Sequence, residues 1–309
     1  MKKSILIALL LSLLSGTGAV AATRQASINL NPFSAVSIAG SFEVSFLQGS
    51  DYRALITVED AYMDYVVCKV DGKILTIDLD ERKVPAEVKR QFRGKGAPEL
   101  VLSAVIYVPE LIQSVTLSDK AVLKDTEDVF DKAKVYFDLS NTAAIRNLSL
   151  SSQAVKITMQ NKSTAELGVR CQVLEASTSN YAYLKIDDNS EESGYTLQGS
   201  SQVVARCNTK QLNINAKANS EMTVSGSGDY AVYTLGGTSE VNASAFEVPD
   251  AKVSMSSVCL LNQSAYRNLT VKLSGGSTLL FSNEPKVTVE NIKSSTMSRV
   301  SGGSGATRL

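Results

Sequence analysis

The residues best suited to chemistry in this chain are carboxylates and tyrosines, because histidine is absent from all 309 positions. Without histidine the commonest general base, the usual catalytic triads and most zinc sites are excluded together. The densest acidic cluster is Asp187, Asp188, Glu191 and Glu192. Several oxygens at short spacing suit a hard cation such as calcium, and a carboxylate pair suits glycoside hydrolysis. The order of an EF-hand loop and the Gly-Asp repeats of calcium-binding β-rolls are both missing, so the cluster reads as a solvated corner loop. No catalytic residue, metal site or cofactor is assigned.

Exposed aromatic rings stack on sugar faces, and here Tyr181 and Tyr183 are the best placed. If Ala182, Leu184 and Ile186 point inward on a strand, the two tyrosines point outward together. Tyr195 and Tyr233 precede Leu197 and Leu235 by two residues and share their interior face. The basic run from Arg90 to Lys95 is suited to an acidic partner, yet isolated charged loops usually solvate, and it reads as one. Four cysteines, Cys68, Cys171, Cys207 and Cys259, are scattered without a CxxC pair. Cys171 and Cys207 lie about two coils, roughly 10 Å, apart, beyond disulfide reach, and all four read as small buried thiols.

The elements that must position these residues are strands. Val, Ile, Leu, Thr and Ser dominate, and Trp is absent. From Phe33 to Leu79 apolar residues alternate strictly. The run from Val36 to Phe46 and the strand through Ala54, Ile56 and Val58 read as one hairpin. Tyr65–Val70 and Ile74–Leu79, joined by Asp71-Gly72, read as another. Asp80 to Pro98 breaks the pattern and reads as an exposed loop with a helical turn near Ala86 to Phe92. Val101 to Val108 is again a strand.

From Leu117 onward a phrase recurs about every twenty residues: a short apolar alternation, a cluster of Ser, Asn, Thr or Gly, then a second alternation. Its anchors are Leu117, Leu139, Met159, Ala176, Leu197, Ile214, Leu235, Met255, Leu273 and Ile292. Such a period marks a solenoid whose units bury their apolar faces only by stacking. No segment shows the three-and-four spacing of a helix. The expected fold is therefore all-β, a right-handed parallel β-helix of about ten coils preceded by short antiparallel strands. Ser, Thr and Asn at the turns should form ladders between coils, and Asp187 to Gly194 and Phe246 to Asp250 should be looser corner insertions.

Lys2 and Lys3, the apolar run Ile5 to Leu14 and the small residues Ala19 to Ala22 have the layout of a cleaved export signal. The division expected is residues 1–22 signal, 23–110 N-terminal strand region capping the solenoid, 111–300 β-helix and 301–309 flexible tail. No apolar stretch is long enough for a spanning helix. Thirty-one basic and thirty-one acidic residues cancel without a basic face, which argues against a nucleic-acid partner.

The segment from Phe33 to Gly49 resembles the opening of the GIN-domain family (DUF2807-like), exported proteins of the Bacteroidetes type described as autotransporter adhesin heads. Val58-Glu59-Asp60, the Val70 to Ile77 hairpin, Val105 to Pro109 and Val115 to Ser118 match in order and spacing. The resemblance implies a β-helical fold and an adhesin role in the cell envelope, and supplies no catalytic or ligand residues. No C-terminal run looks like a membrane barrel. The expectation is a non-catalytic adhesin or recognition scaffold, periplasmic or at the cell surface, binding a glycan or an envelope protein. A polysaccharide lyase or glycosidase, and a structural protein self-associating through coil edges, are the alternatives.

Overall fold

Alternating apolar residues become a strand only when another backbone satisfies their N–H and C=O groups, and in this chain that backbone is usually a parallel copy of the same pattern. A computed structural model describes residues 22–95, 97 and 100–300. The export signal expected over residues 1–22, apart from its last residue, and the tail over 301–309 lie outside the described residues. The fold is all-β with parallel solenoid coils, about ten in all. It divides into one unit of residues 1–131 with 135–148 and a second of residues 132–134 with 149–309.

The first unit contains β1 (Thr23–Asn29), β2 (Ala35–Ile38), β3 (Glu43–Gln48), β4 (Arg53–Glu59), β5 (Val66–Asp71), β6 (Ile74–Leu79), β7 (Leu102–Val108), β8 (Ser114–Leu117) and β9 (Val122–Leu123). Most of β10 (Lys134–Leu139) and β11 (Ala144–Ser151) also belongs to it. A 3-10 turn (Asp60–Tyr65) and the short helix α1 (Ala86–Gln91) interrupt the strands. β2 lies between β6 and β8, parallel to both, and β3 lies likewise between β7 and β9. The coil formed by β2 and β3 is thus enclosed by two coils that come later in the chain. β8 and β9 pair onward with β10 and β11. Phe46, Phe130 and Phe137 fill the interior, their ring centroids 6.3 and 5.3 Å apart in sequence order.

Antiparallel strands are added at one end, β4 on β7, β1 on β4 and β5 on β6. The β5–β6 hairpin is as expected, with Asp71 opposite Ile74 and Gly72 at φ +61°. The other expected hairpin is not formed. β3 and β4 occupy opposite edges of β7, one parallel and one antiparallel. Alternation determines which face of a strand is buried but not which neighbour takes its edge. Both edges of β3 are taken by parallel partners, so β4 pairs elsewhere.

The second unit contains β12 (Ala154–Met159), β13 (Thr164–Thr178), β14 (Tyr183–Leu197), β15 (Gln202–Ala216), β16 (Glu221–Leu235), β17 (Glu240–Met255), β18 (Leu260–Ser274), β19 (Thr278–Phe281), β20 (Lys286–Lys293) and β21 (Thr296–Arg299). Alternation changes phase within the long strands, as near the middle of β14 at Glu191-Glu192, where two successive residues face solvent. Met159, Thr178, Leu197, Ala216, Leu235, Met255, Leu273 and Ile292 are directly opposed in successive coils. The anchors Ala176 and Ile214 read from the sequence sit two residues before the true members, Thr178 and Ala216. Two residues is one strand period, so the buried face was right and the register was not.

One corner of each coil needs a residue with left-handed backbone. Asn161, Asn180, Gly199, Ala218, Gly237, Ser257, Gly275 and Ser294 supply it, with φ from +50° to +76°. Asn and Gly tolerate this region best. Gly199 is further restricted, because an added Cβ would lie 2.8 Å from the Asn180 backbone. Two residues after all of these corners but the last comes a buried small side chain: Ser163, Ala182, Ser201, Ser220, Ser239, Cys259 or Ser277. The Ser220 and Ser239 hydroxyls donate to the carbonyls of Lys217 and Gly236 at 2.9 and 3.0 Å. The Cys259 thiol does the same to Ser256 at 3.3 Å, which explains a cysteine at this corner. Outside it, Asn180 donates to the Asn161 side chain at 3.1 Å, a rung of the expected polar ladder.

The two expected corner insertions are corrected. Asp187 to Gly194 is continuous strand within β14, with Asp188, Ser190 and Ser193 turned inward. Phe246 to Asp250 lies in β17, where the register shifts on either side of Glu247–Val248 while Phe246 and Val248 stay buried. Apolar burial of Phe246 and Val248 holds the second segment in the interior, while in the first the inward Ser190, Ser193 and Asp188 hydrogen-bond in series and parallel ladders to β13 and β15 keep the strand continuous.

Candidate functional site

Tyr183 opens β14 on its outer face. Ala182, Leu184 and Ile186 are buried, whereas Tyr181 and Tyr183 are 67% and 38% exposed. Tyr181 follows the left-handed Asn180, and its N–H donates to the Asn161 carbonyl at 2.8 Å. Tyr183 lines a groove of about 290 Å³ with Gln202, Val204, Glu221, Glu240 and Asn242. Tyr183, Gln202, Glu221 and Glu240 are successive partners across β14 to β17, each the first residue of its strand. The Gln202 amide donates to Glu221 at 3.1 Å, and Lys185 pairs with Glu166 at 2.6 Å just beyond.

The outward direction of Tyr183 was legible in the sequence, and its neighbours along the groove were not. The available signal was the step of 19 residues from 183 to 202, 221 and 240. A period read only as about twenty cannot align single residues. Tyr181 does not line the groove, so the two rings differ in place: one at the corner, one on the groove wall.

The acidic cluster does not converge. Asp187 pairs with Arg206 and Glu191 with Lys210, each at 3.2 Å across neighbouring coils and well exposed. Exposed pairs of this kind contribute little, about 0–1 kcal/mol. Asp188 is fully buried and accepts hydrogen bonds from Ser193 at 2.6 Å and Tyr195 at 2.8 Å. Ser190 and Ser193 share a further contact at 2.8 Å, and the Cys207 sulfur lies 3.6 Å from the Tyr195 hydroxyl. The Asp188 Oδ1 atom has no hydrogen-bond partner. Burial pushes the Tyr195 phenol well above its ordinary value, with Cys207 and Asp188 adding to the effect. Among the described residues no group of three or more His, Cys, Asp or Glu is arranged to hold a metal.

All four cysteines are free. Burial raises the Cys68 thiol to about 11, and burial followed by the Asp188 charge raises Cys171 to about 12. Cys207 moves upward for the same reasons as Cys171, and Cys259 through burial. Protonated thiols are poor nucleophiles. Iodoacetamide at neutral pH should therefore label the folded chain far more slowly than the urea-unfolded chain, read by mass spectrometry. These folded-state values are raised, so their contribution to stability is full below the ordinary thiol value near 9. It is lost as pH rises through about 11 to 12. The urea midpoint should fall across that window, and a level midpoint would contradict the assignment.

The first unit holds a second hollow, of about 830 Å³, lined by Asp78, Asp80, Glu81, Lys83, Asp119 and Lys120 among others. Burial raises the Asp78 carboxyl, with Asp119, Asp80 and Glu81 adding repulsion and the Leu79 N–H opposing it. Lys83 hydrogen-bonds Asp80 and lowers that carboxyl. The charges are mixed in sign, and Lys83 and Asp80 pair at 2.8 Å. In the neighbouring basic run, Phe92 packs edge-on against Tyr62, with centroids 5.4 Å apart, at the end of α1.

A family model described as "Putative auto-transporter adhesin, head GIN domain" matches residues 32–192 and 175–285. No curated protein matches the chain. Among solved structures, a putative adhesin from Parabacteroides distasonis is similar at 13% identity and a TM-score of 0.47, covering 90% of this chain and 97% of that one. A putative lipid binding protein from the same organism gives 12% identity, a TM-score of 0.46 and coverage of 90% and 96%. A putative adhesin from Parabacteroides merdae gives 15% identity, a TM-score of 0.44 and coverage of 90% and 96%.

Proposed function

Because the chain belongs to the family of the auto-transporter adhesin head GIN domain, we propose that it is an exported, non-catalytic recognition module, periplasmic or at the cell surface, that binds a glycan on the outer face of its coils. The observation that carries this reading is the groove in which the exposed Tyr183 ring meets amide and carboxylate groups from three further coils. An aromatic face beside hydrogen-bonding groups suits a sugar ring, which presents C–H bonds on one side and hydroxyls at its edge. Glu221 and Glu240 give the groove negative charge, and none of its lining residues is Lys or Arg. Neutral or amine-bearing sugars fit it better than uronates or sulfated glycans. No helix among the described residues is long and apolar enough to cross a membrane.

A glycan array tests the reading. Tyr183→Ala is expected to weaken binding roughly tenfold, about 1.4 kcal/mol, and Tyr181→Ala to weaken it less, with circular dichroism unchanged in both. Failure to bind any glycan would remove the carbohydrate form of the proposal.

One observation favours a second reading. Glu221 and Glu240 are directly opposed on neighbouring strands, whose backbones run about 4.8 Å apart, and retaining glycosidases use two neighbouring carboxylates roughly 5–5.5 Å apart. Both project from one sheet face, however, whereas an acid and a nucleophile must flank the scissile bond. Incubation with oligosaccharides separates the readings. Cleavage that disappears in Glu240→Gln would replace the adhesin with a hydrolase.

A further inference from the structure

The last described coil of the second unit, made by β20 and β21, is finished differently from the others. β20 pairs in parallel with β18, placing Val287 opposite Leu269, Val289 opposite Val271 and Ile292 opposite Leu273. Leu269, Val271 and Leu273 are fully buried, yet Val289 is 50% and Ile292 40% exposed. These residues continue interior columns with nothing stacked over them. Among the described residues β20 is in register with β18 alone and β21 with β19 alone, so the far edge of each is unpaired. An open edge with apolar residues in register is a template for another chain.

We propose that this edge is an isologous interface between two copies of the chain, with β20 pairing antiparallel to its two-fold mate about Thr288. A two-fold axis perpendicular to a strand reverses its direction, so an edge strand meets its own copy antiparallel and every contact occurs twice. With Thr288 on the axis, Val287 faces Val289 of the partner subunit. Lys286 faces Glu290 of the partner subunit. The alternation from Lys286 to Glu290 places the valine pairs on the interior side of the sheet and the ion pairs on its outer side.

Neighbouring registers lack this match. One step either way sets Val287 against Glu290 or Thr288 and leaves Lys286 opposite an amide or a valine. Three steps in one direction set Lys286 against Lys293. Glu290 is 3.7 Å from Lys252 within its own chain, a loose exposed pair that leaves carboxylate oxygen for a second cation. Edge strands that avoid self-pairing place like charges or proline where they would meet their copies. This one places opposite charges there. The inference goes beyond glycan recognition and is tested separately from it.

Light scattering on the full chain across a concentration series should show a monomer and dimer in equilibrium. Lys286→Glu and Glu290→Lys should each raise the dimer dissociation constant roughly tenfold or more, because each sets like charges face to face twice. Two further results are expected: the double variant K286E/E290K dimerises again, and an equimolar mixture of the two single variants forms a heterodimer. Circular dichroism verifies that each variant is folded. A wild-type chain that stays monomeric at its highest soluble concentration overturns the proposal. So does a dimer that survives Lys286→Glu, or a folded double variant that remains monomeric.

Discussion

Gly226→Ala is expected to be the most damaging single substitution in the second unit, lowering stability by about 4 kcal/mol or more. Gly226 has φ +112°, outside the left-handed well that Asn or Ala can occupy. It stands directly opposite Cys207 in the parallel ladder of β15 and β16. An added Cβ would land on the Cys207 carbonyl oxygen, and would also lie 2.9 Å from the carbonyl carbon and 3.2 Å from the amide nitrogen of that residue. All three obstacles are backbone, so no rotamer change relieves them. The ladder itself must open. Gly194→Ala is the matched control, since its Cβ would meet only the Leu174 carbonyl, at 3.6 Å, without a positive φ. That change should stay within about 0.5 kcal/mol. Urea midpoints would separate the two, and equal midpoints would refute the backbone account.

The second large effect is expected at Asp188, which lies in the same stacked column, opposite Cys207. Asp188→Ala should destabilise the chain by about 3 kcal/mol. It removes the acceptor of two hydroxyls, Ser193 and Tyr195, that are both almost fully buried. A buried donor left without a partner costs about 1–3 kcal/mol, and the vacated volume adds a cavity cost. Asp188→Asn keeps an acceptor at the same place and should cost less than half as much. If Asp188→Ala and Asp188→Asn proved equally mild, the hydroxyls would have to be satisfied some other way. Because Asp188, Cys207 and Gly226 stack in consecutive coils, combined substitutions among them should not be additive.

The value of Asp188 to the fold also shows where sequence reading stopped. Asp187, Asp188, Glu191 and Glu192 look alike on paper, as four carboxylates in six residues. In the strand, Asp188 faces inward to two hydroxyls while Asp187 and Glu191 reach cations one coil away. The inward direction was open to inference, since Leu184 and Ile186 share the parity of Asp188. The partners that make it tolerable were not, because Tyr195 lies beyond the phase change of the strand. The groove residues are a similar case. Glu221 and Glu240 carry no local mark that joins them to Tyr183, and only the exact coil length brings them together.

By itself the sequence determined the class of the fold, the parallel stacking, the polar turns between strands and the face on which most side chains lie. All of these follow from short-range rules: the two-residue period of a strand, the turn preference of Ser, Asn, Thr and Gly, and the need of each coil to cover its apolar side. The tertiary structure decided the partners. It placed β3 and β4 on opposite edges of β7, moved two coil anchors by one strand period and gathered Gln202, Glu221 and Glu240 beside Tyr183. Pairing between strands is fixed by burial and hydrogen bonding summed over whole ladders. A shift of two residues preserves every local preference while changing every neighbour.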